Sequence, residues 1–227
     1  MQGIGIMFFK LKNTVKLKNS EGFTLLELLL ALAIFMIVIG AAYSTFLSQQ
    51  KSYMVQEQVA DMQQNIRAGM FVMQRELRMA GYDPIPHVGL NPDGITALSS
   101  NQITFEYIND TNNPNTLDTV SYSLYTSQGR QNLGRRINGS NNYSIADNID
   151  ALDFVFFDTA GIQTTSPTQV VSIQITIVAR ANRDDLDYTN TISYKNASGT
   201  EILAPQNDHR RRRLLTTRVK CRNLSLP

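Results

Sequence analysis

Glu27 has the most consequential chemistry in the sequence, because it is an acidic side chain inside an apolar run. From Phe23 to Leu47 the chain is otherwise apolar or small for about the 20 residues that a helix needs to cross a bilayer. A carboxylate is costly in hydrocarbon, although less so near the end of a span. If the chain were cut before Phe23, the new α-amine would lie one helical turn from Glu27. We therefore expect the ammonium of a neighbouring, axially offset copy to neutralise this carboxylate.

A run of four arginines, Arg210–Arg213, follows Asp208 and His209. The run could bind phosphate, nucleic acid or an acidic partner surface, or its alternate arginines could form salt bridges with nearby acids at the start of a strand. The net charge is +2, and residues 1–22 hold four lysines and one glutamate, so the rest of the chain is nearly neutral. No aromatic stripe for base stacking accompanies the run. We therefore favour a structural or protein-contact role and expect no binding of nucleic acid.

Residues that bind metals or catalyse reactions are sparse. Asp184, Asp185 and Asp187 offer oxygen ligands for calcium, but their spacing does not match a twelve-residue calcium loop, and a hairpin turn accounts for them equally well. His87 and His209 are too few and too isolated for a zinc site. Serine and cysteine residues lack a base and an orienting partner in any recognisable motif. We expect no enzyme activity, no metal and no cofactor.

The helical pattern continues past Leu47 as an amphipathic stripe. Apolar residues recur at steps of three and four, which indicates one helix face packed on the chain's own sheet. The stripe comprises Val55, Val59, Met62, Ile66, Met70, Met73 and Leu77. We expect one helix over residues 23–80, with Gly40 as a candidate flexible point. Gly81 suits a left-handed C-terminal cap, and Pro84 and Pro86 prevent continuation.

Beyond Pro86 the sequence predicts β-structure. The clearest strand places Val171, Ile173, Ile175 and Ile177 on one face opposite a mainly polar face, which suits an antiparallel sheet with one face on a helix. Cys221, the one cysteine, is expected to be a small buried residue on the last strand. Residues 81–98 are expected to be irregular, and residues 109–115 have the composition of a turn. The predicted strands are Gln102–Ile108, Thr119–Tyr125, Ile149–Asp158, Gln169–Ala179, Thr189–Tyr194 and Leu214–Arg222.

The segment from Lys16 to Glu27 resembles the class III signal of type IV prepilins and pseudopilins. It joins a basic leader, a Gly-Phe pair, a glutamate at the fifth position after that pair's glycine, and the apolar run. The resemblance implies cleavage after Gly22 by a prepilin peptidase and N-methylation of Phe23. The alternative is an ordinary signal anchor with an isolated glutamate. The lysines before the span predict a cytoplasmic N-terminus in either case.

Two further segments resemble the PilW-like minor pilins. Arg75–Tyr82 is similar to the end of their long helix, and Arg211–Leu224 to their closing segment and to that of the related J-type minor pseudopilins. The resemblance implies an α+β, pilin-like fold, in which a long N-terminal transmembrane and amphipathic helix packs on a C-terminal antiparallel β-sheet domain.

These resemblances imply the following domain organisation. Residues 1–22 form the leader, 23–47 the transmembrane half of the helix, 48–80 its amphipathic half, and 81–227 a β-rich domain outside the cytoplasm. The protein would be a single-pass protein of the bacterial inner membrane that later enters a pilus.

The implied role is that of a minor pilin in type IV pilus assembly, as part of a priming or tip complex. Its implied partners are a prepilin peptidase, other minor and major pilins, and the inner membrane. The leader does not distinguish this role from that of a minor pseudopilin of a type II secretion system. A membrane-anchored enzyme and a DNA-binding pilin for uptake are the alternatives from other classes.

Overall fold

The computed structural model describes residues 22–84, 90–109 and 116–225. The chain divides into two units, residues 1–50 and residues 51–227. Residues 1–21 of the predicted leader, Pro86, His87 and residues 110–115 of the predicted turn lie outside the described residues.

A single long helix, α1 (Leu25–Leu77), contains 53 residues. Within the first unit, residues 22–50 are all exposed in the isolated chain. Among the described residues, α1 is the one helix that is long and apolar enough to cross a membrane. The helix continues through Gly40 without a break.

The end of α1 lies close to the predicted position. The helix ends at Leu77 and tight turns follow as far as Gly81, so the predicted end near Ala80 is three residues late. Gly81 has a φ of +74°, which confirms the predicted left-handed conformation. Its N–H donates a hydrogen bond to the carbonyl of Glu106 at 2.8 Å, which turns the chain from the helix towards the sheet.

The first sheet is an antiparallel meander of five strands in the order β1-β2-β3-β4-β5. A two-residue turn at Gln128-Gly129 joins β3 to β4, with φ values of +51° and +72°. Such a pair of positive φ angles matches the right-handed twist of the strands that it connects. The strands are β1 (Ile95–Leu98), β2 (Gln102–Asn109), β3 (Thr116–Ser127), β4 (Arg130–Ile137) and β5 (Tyr143–Ala146).

Two smaller antiparallel sheets complete the second unit. One has the order β10-β7-β6, with β7 between its neighbours, and the other pairs β8 with β9. The strands are β6 (Ile149–Phe157), β7 (Ser172–Arg180), β8 (Tyr194–Lys195), β9 (Glu201–Leu203) and β10 (Arg212–Lys220).

The apolar stripe of α1 forms one side of the main core. Met73 and Leu77 are completely buried, whereas Val55 and Val59, nearer the start of the second unit, are only half-buried. The stripe shares one cluster with residues of both larger sheets, including Ile175 of β7. This confirms the prediction that the stripe packs on the chain's own sheet.

The prediction that β7 buries only one face is wrong. Thr176 and Val178, on the face expected to be polar and exposed, are completely buried. Val178 packs with Ala151 of β6 and Tyr194 of β8, so the β8–β9 hairpin covers the second face of β7. The Thr176 hydroxyl is accommodated because it lies 3.3 Å from the hydroxyl of Thr216 on the neighbouring strand.

The predicted boundaries lie within one residue of the observed ones for β2 and β6, within two residues for β10 and within three residues for β3. The predicted strand at Thr189–Tyr194 is wrong, because only Tyr194 lies in a strand and the Asn190 side chain bonds the Tyr194 hydroxyl at 3.0 Å. The strand predicted from Gln169 begins at Ser172, after a 3₁₀ turn. Strands β1, β4, β5 and β9 were not predicted. They are short or rich in polar residues, and hydrogen bonding to the neighbouring strand, not local propensity, holds them in the sheets.

Candidate processing and assembly site

The predicted processing residues lie immediately before α1. Gly22 is exposed, and a Cβ atom built on it would meet nothing within 4 Å among the described residues. Its φ lies outside the left-handed region. The described part of the chain therefore gives no steric reason for glycine at this position. Phe23, the predicted site of N-methylation, is 91% exposed.

Thr24 and Glu27 cap the start of α1 reciprocally. The Thr24 backbone N–H and hydroxyl donate to Glu27 Oε2 at 2.9 and 3.0 Å, and the Glu27 N–H donates to Thr24 Oγ1 at 3.2 Å. The Thr24 carbonyl accepts the first helical hydrogen bond from Leu28. This arrangement is a capping box. The Thr-x-x-Glu spacing before an apolar run is its sequence signature, which the sequence analysis missed.

The capping box changes the interpretation of Glu27. Its carboxylate has a local hydrogen-bonding partner in Thr24, although that partner carries no charge to neutralise it. Within the described residues, the recorded side-chain bonds of Glu27 all use Oε2. A carboxylate offers about four acceptor positions on two oxygens. Glu27 can therefore cap its own helix and still accept a hydrogen bond from the ammonium of another chain.

Residues 22–50 present a continuous apolar surface. Leu25 and Leu26 are 75% and 76% exposed, and Ile37, further along the helix, is 73% exposed. Soluble monomers rarely expose contiguous apolar patches above a few hundred Å². This surface requires lipid or other apolar helices around it.

Glu76 is a buried acid that fastens α1 to the first sheet. Arg135 of β4 holds both of its oxygens, with Nε 2.8 Å from Oε2 and a terminal nitrogen 2.7 Å from Oε1. The Tyr122 hydroxyl of β3 donates a short hydrogen bond to the same carboxylate. Burial, together with the negative charge of Glu76, raises the pKa of Tyr122. The tyrosine therefore remains a neutral donor, and the acid has a bidentate counter-charge.

Arginines of the Arg210–Arg213 run form salt bridges with acidic side chains. The Arg212 side chain is 2% exposed, and its Nε lies 2.6 Å from Asp150 Oδ2. Its two terminal nitrogens donate to the carboxylate of Asp208 at 2.6 and 2.7 Å. Arg180 contacts the other oxygen of Asp150 at 3.3 Å. The hydrogen bonds from Arg212 hold the pKa of Asp208 below its ordinary value.

The two preceding arginines bind two of the three aspartates that are candidate calcium ligands. Arg210 pairs with Asp184 at 2.8 Å, and Arg211 pairs with Asp185 at 2.8 Å. Arg213 is exposed. These salt bridges confirm the structural interpretation of the run. Within the described ranges, no group of three or more His, Cys, Asp or Glu side chains is placed to hold a metal ion.

Two other candidate residues, His209 and Cys221, also take part in the packing or hydrogen bonding of the fold. His209 places Nδ1 2.7 Å from the carbonyl of Tyr188. Cys221 is completely buried, as predicted, but it follows β10 instead of lying on it. Burial raises the pKa of its thiol to about 12, so the thiolate is not populated at neutral pH.

Two family models match parts of the chain. The prokaryotic N-terminal methylation motif matches residues 17–43, and the family described as type IV pilus-assembly protein W matches residues 111–223. A type IV-like pilin from Thermus thermophilus superposes with a TM-score of 0.49 at 16% identity, over 71% of this chain and 97% of that one. No curated protein matches the sequence.

A methylation motif at the start of an exposed apolar helix, joined to an α+β domain of this type, defines the type IV pilins, a class of structural proteins and not enzymes. Within this class, residues 111–223 carry the domain of the type IV pilus-assembly protein W family, which makes the chain similar to the PilW-like minor pilins. The match from residue 111 to 223 includes most of the Arg211–Leu224 segment that carried the resemblance at the C-terminus.

Proposed function

We propose that this protein is a minor pilin that is processed at Gly22–Phe23. Through Glu27 it is assembled into a complex that initiates a type IV pilus or forms the tip of the pilus. The observation that carries the proposal is the joint match of the methylation motif and the pilus-assembly family on one chain. The geometry of the helix start supports it, because Glu27 combines local capping with spare acceptor capacity.

Processing is the first step. A prepilin peptidase cuts after Gly22, and the new amino group of Phe23 is methylated. The exposed position of both residues before α1 supports access by an enzyme. Since nothing in the described chain contacts a Cβ at Gly22, we attribute the requirement for a small residue there to the peptidase.

Before assembly, the chain is a single-pass protein of the bacterial inner membrane. The apolar helix face from Phe23 to Leu47 lies in lipid, the lysine-rich leader stays in the cytoplasm, and the β-rich domain lies outside. On assembly, the same apolar surface exchanges lipid for the helices of other pilins. The ammonium of a neighbouring Phe23 then supplies the counter-charge for Glu27.

A pseudopilin of a type II secretion system uses the same leader and the same architecture. We favour the pilus because the matched family is described as a pilus-assembly protein. The DNA-uptake alternative has lost its main support, since three of the four arginines in the run are paired with aspartates.

The test is deletion of the gene, followed by complementation with the full-length protein. A pilus-assembly role predicts loss of surface pili, restored by the wild-type gene, and a mature chain whose mass begins at methylated Phe23. Normal piliation with a loss of protein secretion would assign the chain to a secretion pseudopilus. An uncut chain in cells that process other prepilins would contradict the proposal altogether.

A further inference from the structure

We propose that a basic cleft at the C-terminal end of α1 binds an acidic segment of a neighbouring pilin subunit. The identity of this partner rests on the proposed function, whereas its chemistry rests on the cleft. The cleft has a volume of about 410 Å³. Its main walls are Phe71, Arg75, Arg78, Met79, Arg222 and Asn223.

Three arginines line this cleft and come from two parts of the chain. Arg75 and Arg78 come from the end of α1 and the turn after it, and Arg222 follows β10. All three are exposed. Among the described residues, their one recorded acidic contact joins Arg75 to Glu76 at 4.0 Å. Glu76 is already held by Arg135, so the positive charge of the cleft is largely uncompensated.

A basic residue in the last turn of a helix often serves only to stabilise the helix carbonyls. That role accounts for Arg75 and Arg78. It does not account for Arg222, which belongs to another segment, nor for Phe71, whose side chain is 65% exposed on the same wall. An apolar wall with an arginine rim fits a segment that combines carboxylates with apolar side chains. Arginine is well suited to this, because its planar fork binds carboxylates in a bidentate manner.

The walls of the cleft are fixed in the isolated chain. Asn223 Nδ2 donates to the Arg78 carbonyl at 3.2 Å, which ties the closing segment to the end of the helix. Leu224 packs on two glycines with positive φ, since a Cβ on Gly81 or Gly94 would lie 2.8 or 2.3 Å from its Cδ2 atom. A preformed cleft reduces the ordering cost of binding.

The experiment places the photo-cross-linker p-benzoylphenylalanine at Phe71 of the full-length protein. The bacteria co-produce the other pilins of the same system, and mass spectrometry maps the cross-linked peptide. The test variant combines Arg75→Gln, Arg78→Gln and Arg222→Gln. The control variant makes the same change at three exposed arginines outside the cleft, Arg130, Arg136 and Arg213, so both variants lose the same charge.

We expect a cross-link to another pilin, within a segment that contains Asp or Glu. The yield should fall about tenfold or more in the cleft variant and remain near the wild-type level in the control variant. Three outcomes would overturn the inference: no protein adduct, an adduct to a segment without acids, or equal loss in both variants. An arginine-dependent adduct to lipid would also overturn it, in favour of a membrane contact. Processing at Gly22 is scored in the same cells, so failure of the cleft and failure of the proposed function are separable.

Discussion

The capping contacts of Glu27 and its proposed docking role can be separated by two variants. Glu27→Gln keeps an amide oxygen that can accept both hydrogen bonds from Thr24, because glutamine also serves at this position of a capping box. It removes only the charge. Thr24→Ala keeps the charge but removes a hydroxyl that makes two of the three reciprocal bonds, at 3.0 and 3.2 Å.

We therefore expect Thr24→Ala to affect mainly helix stability and Glu27→Gln to affect mainly assembly with other pilins. Loss of the Thr24 cap costs about 1 kcal/mol of helix stability, within a range of 0.5–2 kcal/mol. In a 53-residue helix this cost is confined to the first turn, so we expect assembly close to the wild-type level. In Glu27→Gln the Phe23 ammonium loses its counter-charge. We expect recovery with partner pilins to fall roughly ten- to a hundredfold, as for the loss of a charged hydrogen bond.

The assay uses two measurements on the same cells. The size of the band reports cleavage after Gly22, and co-purification from detergent reports association with other pilins. Both variants should be cut, because the scissile bond precedes the helix. Wild-type assembly of Glu27→Gln would refute the docking role. An equal assembly defect in Thr24→Ala would assign the effect to helix capping, and loss of cutting alone in Glu27→Gln would move its role to recognition by the peptidase.

Four further predictions concern the rest of the chain. Gly22→Val should leave the precursor uncut and Gly22→Ala should be cut, as read by mass spectrometry; a methylated mature chain from the valine variant would contradict the steric explanation. Arg212→Gln should destabilise the domain by about 1–3 kcal/mol in urea unfolding, because Asp150 keeps only its contact with Arg180 and Asp208 loses its bidentate partner, whereas the exposed Arg213→Gln should change stability by less than about 0.5 kcal/mol. The lowered pKa of Asp208 means that its pairing stabilises the fold above about pH 4 and that this contribution is lost as pH falls through the folded-state pKa, so the urea midpoint should be less sensitive to acid in Asp208→Asn. Cys221, with its thiol pKa near 12, should resist iodoacetamide at pH 8 until the protein is unfolded, and rapid labelling of the folded protein would show that the site opens.

The local sequence pattern was sufficient to predict the helix and the strands that are rich in strong β-forming residues. The stripe from Met62 to Leu77 repeats at the helical period, and Gly81 has the positive φ that its position after the stripe predicted. Strand β6, with its run of aromatic residues, was predicted to within one residue. Strand β4 was not predicted, because its arginines, asparagine and glycine have little intrinsic preference for a strand, and its pairing with β3 holds it in the sheet.

The candidate processing site could be located from residues alone because it is contiguous. Gly22, Phe23 and Glu27 lie at fixed spacing within the segment that matches the N-terminal methylation motif. The capping box is equally local, because Thr24 and Glu27 are three residues apart and bond each other directly.

The sequence by itself therefore determined the long helix, the β-rich character of the remainder and the N-terminal methylation motif, while the leader and the membrane half of the helix stay predictions. Only the tertiary structure decided which charges meet. Glu76 bonds Arg135 across 59 residues, and Arg212 bonds Asp150 across 62. The arginine cleft likewise exists only because Arg222 returns to the end of α1. The physical reason is that period and propensity act over a few residues, whereas ion pairs and clefts depend on how the sheets bring distant segments together.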